Sequence, residues 1–156
     1  LTRKKISDSF LGEFSQMKHL FHGHTYTGNP TAAALSLKNL ELYKKHSLIR
    51  KIQNTSKIFE ERTEEISNID LVGDIRHKGM VMGIELVKNK KSNKPVTFHQ
   101  SINKVVFEEG RKNNIYFRTL GNIIMLVPPL AISQKDLNFL IDGTIKTIKS
   151  LSGKLS

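Results

Sequence analysis

The sequence predicts an α+β domain in which short antiparallel strands are covered by helices on one face. Two observations carry this. Apolar residues recur at helical spacing in residues 30–44, 47–66, 98–112 and 134–151, whereas residues 72–77 paired with 80–87, and 115–119 paired with 122–127, alternate apolar and polar. Each strand pair is broken at a glycine, Gly79 or Gly121, so the strands are short and turn back on themselves. Helices and short antiparallel strands in the order helix, helix, strand pair, helix, strand pair, helix make a layered α+β unit.

The N-terminal residues give little regular structure. Ser7, Ser9 and Gly12 allow at most a short helix over Lys4 to Leu11, and Gly12 to His19 read as loop. A helix is predicted from Pro30 to about Lys44. Asn29 can cap it, proline suits a first helical turn, and Ala32, Ala33, Ala34, Leu35, Leu37, Leu40 and Leu42 give it propensity and a broad apolar face. Ser47 is the predicted cap of the next helix, whose apolar face is Ile49, Ile52, Phe59 and Ile66; Glu60, Glu61, Arg62, Glu64 and Glu65 form its charged side.

In the first strand pair, Met80, Met82, Ile84 and Leu86 share one face, and Val81, Gly83, Glu85 and Val87 the other. The methionines read as core filling. A lysine-rich connector, Lys88 to Lys94, leads past Pro95 to a helix over Phe98 to Lys112 that packs through Ile102, Val105 and Val106 and stops at Asn113-Asn114. Ile115 to Thr119 and Asn122 to Val127 form the second strand pair, which Pro128-Pro129 ends because neither residue can donate to a ladder. Ser133 and Asp136 start the last helix as a capping box with Asp in place of Glu, and Leu137, Leu140, Ile141, Thr144, Ile145 and Ile148 continue it to about Leu151.

The chain has 156 residues, enough for a real core, and no cysteine, which excludes disulfides and thiolate metal sites. No apolar run reaches the length of a membrane span, and nothing at the start reads as a signal peptide. The net charge of +11 raises a nucleic-acid reading. The basic residues are spread along the chain, however, and the only dense run, Lys88 to Lys94, reads as a solvated connector. A cytoplasmic protein with neither nucleic-acid nor membrane partners is therefore expected.

Two stretches carry candidate chemistry. His22-Gly23-His24-Thr25-Tyr26-Thr27-Gly28-Asn29-Pro30 is a polar loop feeding a helix N-terminus, a place that suits either an ordinary cap or a bound anion such as phosphate. His19, His22 and His24 lack a nearby acid and helical i, i+4 spacing, so no metal is assigned to them. The second stretch is Phe117-Arg118-Thr119-Leu120-Gly121-Asn122-Ile123-Ile124-Met125-Leu126-Val127-Pro128-Pro129-Leu130. Within it Arg118 is either a surface arginine or a planar fork for a carboxylate.

These two motifs, in this order and at about this separation, resemble those of the class III pyridoxal-phosphate aminotransferases, and the resemblance covers nearly the whole chain. It implies the small C-terminal domain of a fold-type I enzyme over residues 47–156. Residues 1–46 would then be a large-domain remnant with the phosphate loop and connecting helix. The family's cofactor-bearing lysine would lie just upstream of Leu1, and no residue here matches the pyridine-nitrogen partner. No catalytic residue is assigned, and the chain alone is expected to be inactive. The resemblance implies that Thr25, with His24 beside it, contacts the phosphate of pyridoxal 5'-phosphate held in a neighbouring subunit, and hence a homodimer with composite active sites. It also implies that Arg118 binds a substrate carboxylate, while Met125 stands where some members carry tyrosine.

Within the family the loop is most similar to the branch serving biotin synthesis. There an amino group passes from S-adenosylmethionine, or lysine in some members, to 8-amino-7-oxononanoate, giving 7,8-diaminononanoate. Class III enzymes acting on ornithine, acetylornithine or 4-aminobutyrate are the alternative, and a non-catalytic basic binding domain is a reading of a different kind.

Overall fold

A computed structural model describes residues 2–23, 25–91, 94, 96 and 102–154. The chain divides into two compact units, Leu1–Glu41 and Leu42–Ser156. In the first, helix α1 spans Lys4–Asp8 only, and a single 3-10 turn, Phe14–Gln16, interrupts the predicted loop. The rings of Phe14 and Phe21 gather around His19, with centroids 5.9 Å and 6.0 Å from it. Helix α2 spans Pro30–Lys45, and the Ala32 N–H donates to Asn29 Oδ1 at 3.0 Å, the predicted cap. Its apolar residues are not core: α2 buries none, and Leu35, Leu37 and Leu40 are all exposed.

The second unit contains α3 (Leu48–Ser67), β1 (Val72–Lys78), β2 (Val81–Leu86), α4 (Ile102–Lys112), β3 (Arg118–Leu120), β4 (Ile123–Leu126) and α5 (Gln134–Ser150). The strands form one antiparallel sheet in the order β1-β2-β4-β3. Each hairpin closes through a two-residue loop whose first member is a glycine at positive φ, Gly79 (+55°) and Gly121 (+59°). Glycine in the first central position is what a tight II′ turn demands, since an L side chain is strained there. The second turn therefore consists of Gly121 and Asn122, and Leu120, predicted at the join, stays in the strand.

Alternation along β2 and β4 sorts the two faces. Met82, Ile84, Leu86, Ile124 and Leu126 are buried with Phe59 and Ile66 of α3, Ile102 and Val106 of α4, and Leu137, Ile141 and Ile148 of α5. Full burial of each such side chain contributes roughly 1.5–3 kcal/mol. The other face carries Gly83, Ile123 and Met125 between polar residues. Arg62 ties α3 to α5, donating to Asp142 Oδ1 at 2.6 Å and to Asn138 Oδ1 at 3.3 Å.

Several sequence expectations are corrected. Ser47 is no cap: it is left-handed (φ 45°, ψ 43°) and makes no capping hydrogen bond. A side-chain cap needs extended backbone, which Ser47 does not have. Ile49 is exposed, while Thr55 is buried on the same helix. Val87, assigned to the open face, is buried just beyond the end of β2. The first strand of the second hairpin begins at Arg118, not Ile115, because the N–H of Ile115 donates to Gly110 O (2.9 Å) and that of Asn114 to Arg111 O (3.0 Å). Asn114 is left-handed (φ 58°), so these bonds close α4 in a Schellman motif and Ile115 has no N–H left for the ladder. Ser133 does cap α5, its Oγ accepting from the Asp136 N–H at 3.0 Å. The predicted start of α4 at Phe98 lies outside the described residues.

Glu109 near the end of α4 is buried, and its Oε1 accepts from Lys112 Nζ (2.7 Å) and Lys154 Nζ (2.6 Å). The hydrogen bond from Lys112, then that from Lys154, holds its carboxyl down at about 2, from an ordinary value of 4.5. A carboxylate with a lowered folded pKa stabilises the fold above its unfolded pKa, and that contribution disappears as pH falls through the folded value. Glu109→Gln should therefore melt earlier than wild type at neutral pH, with the gap narrowing between about pH 4.5 and 2. Thermal melts of both proteins across that range check it; a gap independent of pH would remove the ionic origin.

Candidate cofactor and substrate sites

The two candidate site regions stand in different units. In the first, Asn29 N–H donates to Tyr26 O at 3.2 Å across a turn with Gly28 at φ +71°. A type II turn requires that sign of φ at its third residue, which glycine supplies without strain. Thr25 immediately precedes this turn, is exposed, and makes no hydrogen bond among the described residues. A hydroxyl so placed has a donor and acceptor to offer a phosphate. His24 lies outside the described residues, so its expected place beside Thr25 is not described.

In the second unit the Schellman turn that ends α4 sets up Arg118. From there Ile115 and Phe117 point into the core, and Tyr116 and Arg118 point out. Tyr116 packs edge-on against Phe107 at 5.2 Å. Gly110 leaves the room that the Phe117 ring occupies. Thr119 Oγ1 donates to Asn103 Oδ1 at 2.6 Å, tethering the edge strand to α4. The ladder then pairs Arg118 with Met125, Met125 with Gly83, and Gly83 with Arg76, one row across the open face.

The arginines at the two ends of that row differ in charge balance. Arg76 donates to Asp74 and Glu85, each at 3.0 Å. The Arg118 guanidinium has no ion pair or hydrogen bond among the described residues. It stands at the wall of a cavity of about 640 Å³ whose other walls are mostly apolar: Phe117, Val127, Pro129, Ile132, Phe139 and Leu140 contribute. An unpaired guanidinium beside an apolar wall suits a molecule with a carboxylate at one end and an aliphatic chain behind it. The α5 side of this cavity was not foreseen. Phe139 falls outside the helical spacing that marks the core, so periodicity gave it no role. The Thr119–Asn103 bond spans 16 residues, and no spacing rule signals it.

Among the described residues, no group of three His, Cys, Asp or Glu side chains is placed to hold a metal ion, and no helix is long and apolar enough to cross a membrane.

The profile of the class III aminotransferases matches residues 1–148. The chain belongs to that pyridoxal-phosphate-dependent family. It is 37% identical over 98% of its length to the adenosylmethionine-8-amino-7-oxononanoate aminotransferase of Geobacter sulfurreducens, and 40% identical over 96% to that of Methanocaldococcus jannaschii. The crystal structure of the M. jannaschii protein superposes on 96% of the chain with a TM-score of 0.82. A probable mitochondrial gamma-aminobutyrate transaminase from Oryza sativa is 27% identical over the whole chain. The chain spans about a third of the length of each, 34%, 32% and 31% respectively.

Proposed function

We propose that this chain is part of an aminotransferase of biotin biosynthesis that moves an amino group from S-adenosylmethionine to 8-amino-7-oxononanoate, forming 7,8-diaminononanoate. The observation that carries the reading is Arg118, an unpaired guanidinium beside an apolar cavity, which suits a long-chain amino-oxo acid with a terminal carboxylate. The identities of 37% and 40% to enzymes named for that substrate favour it over the 4-aminobutyrate type, at 27%.

In this reading residues 1–46 belong to the large domain and residues 47–156 form the small one. Pyridoxal phosphate, when bound, supplies the electron sink for exchanging amine and ketone. Thr25, with His24, holds its phosphate from the neighbouring subunit of a homodimer. Arg118 grips the carboxylate with two parallel hydrogen bonds, and the apolar wall takes the chain and excludes water from it. Fixing that far end sets where the ketone lies, which is a positioning role. The complete enzyme is cytoplasmic.

The phosphate assignment has its own test. In the complete enzyme Thr25→Ala should loosen the cofactor, since a hydrogen bond to a charged group contributes about 1.5–3 kcal/mol, and Thr25→Ser should do less harm. Cofactor absorbance retained through dialysis reads this directly. Retention by Thr25→Ala equal to wild type would rule the contact out. The substrate assignment is tested at Arg118.

A further inference from the structure

The Arg118 side chain does not fix its own position. Its guanidinium makes no ion pair or hydrogen bond among the described residues, so its placement is inherited from the strand that carries it. That strand is β3, which has three residues, lies at the edge of the sheet and pairs on one side only, with β4. So short a ladder resists fraying and rotation about the strand axis poorly.

The two ends of β3 are set by packing and by a turn. Before it, the Phe117 ring fills the room left by Gly110 of α4; after it, Gly121 and Asn122 return the chain to β4. Between those ends β3 has one side-chain hydrogen bond among the described residues, from Thr119 Oγ1 to Asn103 Oδ1 at 2.6 Å. Asn103 is the second residue of α4 and is exposed. Successive side chains leave a strand on opposite faces, so Thr119 reaches back to α4 while Arg118 stands on the open face. A bond on one face limits how far the strand can rotate, and so fixes where the guanidinium on the other face stands.

We propose that Asn103 and Thr119 are positioning residues for the carboxylate of the keto substrate, acting through Arg118; this rests on the carboxylate-binding role proposed for Arg118 above. A two-point grip needs the plane of the guanidinium aligned with that of the carboxylate, so a small rotation of β3 loses one of the two hydrogen bonds. Neither Asn103 nor Thr119 needs to touch substrate for this.

The test is steady-state and single-turnover kinetics of the complete enzyme with 8-amino-7-oxononanoate, in N103A, T119V, N103A/T119V, T119S and R118A. N103A and T119V should each raise KM for that substrate about fivefold, the equivalent of one neutral hydrogen bond, with kcat and amino transfer from the donor little changed. The double variant should be no worse than either single one, because both remove the same bond. T119S keeps the hydroxyl and should restore most of the affinity. Asn103 is exposed, so N103A should keep the wild-type melt, which separates lost positioning from lost folding. Additive losses in the double variant, equal damage to both half-reactions, a fall in kcat at unchanged KM, or a T119S enzyme as impaired as T119V would overturn the proposal. Wild-type KM in N103A and T119V, with KM raised in R118A, would overturn it and leave the role of Arg118 standing. Wild-type KM in R118A as well would overturn both.

Discussion

Arg118→Ala in the complete enzyme should lower kcat/KM for 8-amino-7-oxononanoate by about 10²-fold or more. Truncating one partner of a desolvated charged pair costs roughly 2–5 kcal/mol, and each ~1.4 kcal/mol is a factor of ten in rate. Among the described residues no carboxylate pairs with Arg118, so its guanidinium is available to substrate. Arg118→Lys should recover only part of the loss, because an ammonium offers a point charge where the guanidinium offers a planar fork. The rise should fall mainly on KM for the keto substrate. Amino transfer from the donor should suffer less, since the donor's carboxylate need not use this contact. Single-turnover spectra resolve the two half-reactions. Equal damage to both, or to neither, would return Arg118 to being a surface arginine. The side chain is exposed, so an unchanged melt should accompany the kinetic defect.

Gly110→Ala should destabilise the second unit by about 1–3 kcal/mol, the usual cost of overpacking a filled core. A Cβ there would lie 2.8 Å from Phe117 Cε2 and 2.9 Å from Ile115 O. The ring is buried and the carbonyl is backbone, so neither can move aside cheaply. The better helix propensity of alanine, up to about 1 kcal/mol, offsets only part of this. Because Phe117 is the residue before Arg118, the displaced ring should also disturb the guanidinium and raise KM in the complete enzyme. Chemical denaturation measures the first effect. Pairing the change with Phe117→Leu should recover some stability by giving the new methyl space; a Gly110→Ala protein as stable as wild type would show that the ring yields freely.

The parts of the fold legible in the sequence are those set by local chemistry. Asn29 before Pro30 marks the start of α2, Ser133 with Asp136 marks that of α5, and alternation separates Met82, Ile84 and Leu86 from the open face. Ser47 has the composition of a cap, but whether a serine caps depends on its backbone angles, which composition does not reveal. Ile115 has the character of a strand residue and spends its N–H on closing α4 instead. Leu35, Leu37 and Leu40 show how a helix period identifies an apolar face without saying what, if anything, covers it. At the candidate sites, motif resemblance singled out Thr25 and Arg118. It could not show that Arg76, one row-end away, is already neutralised while Arg118 is not, because that balance depends on strand register.

The strand order has a kinetic consequence. Each hairpin joins neighbours in sequence through a two-residue turn, whereas the β2–β4 ladder pairs residues about forty positions apart, Met82 with Leu126 for example. Hairpins form in microseconds, but contacts of long sequence separation must first meet the entropy of closing the intervening chain. The two halves of the sheet should thus assemble early and independently, and their docking should set the folding rate. The same logarithmic dependence on length makes that step insensitive to the lysine-rich connector between β2 and α4. A few residues added there would change the closure entropy by a fraction of a kcal/mol, leaving this connector open to variation in length while the two glycine turns are not.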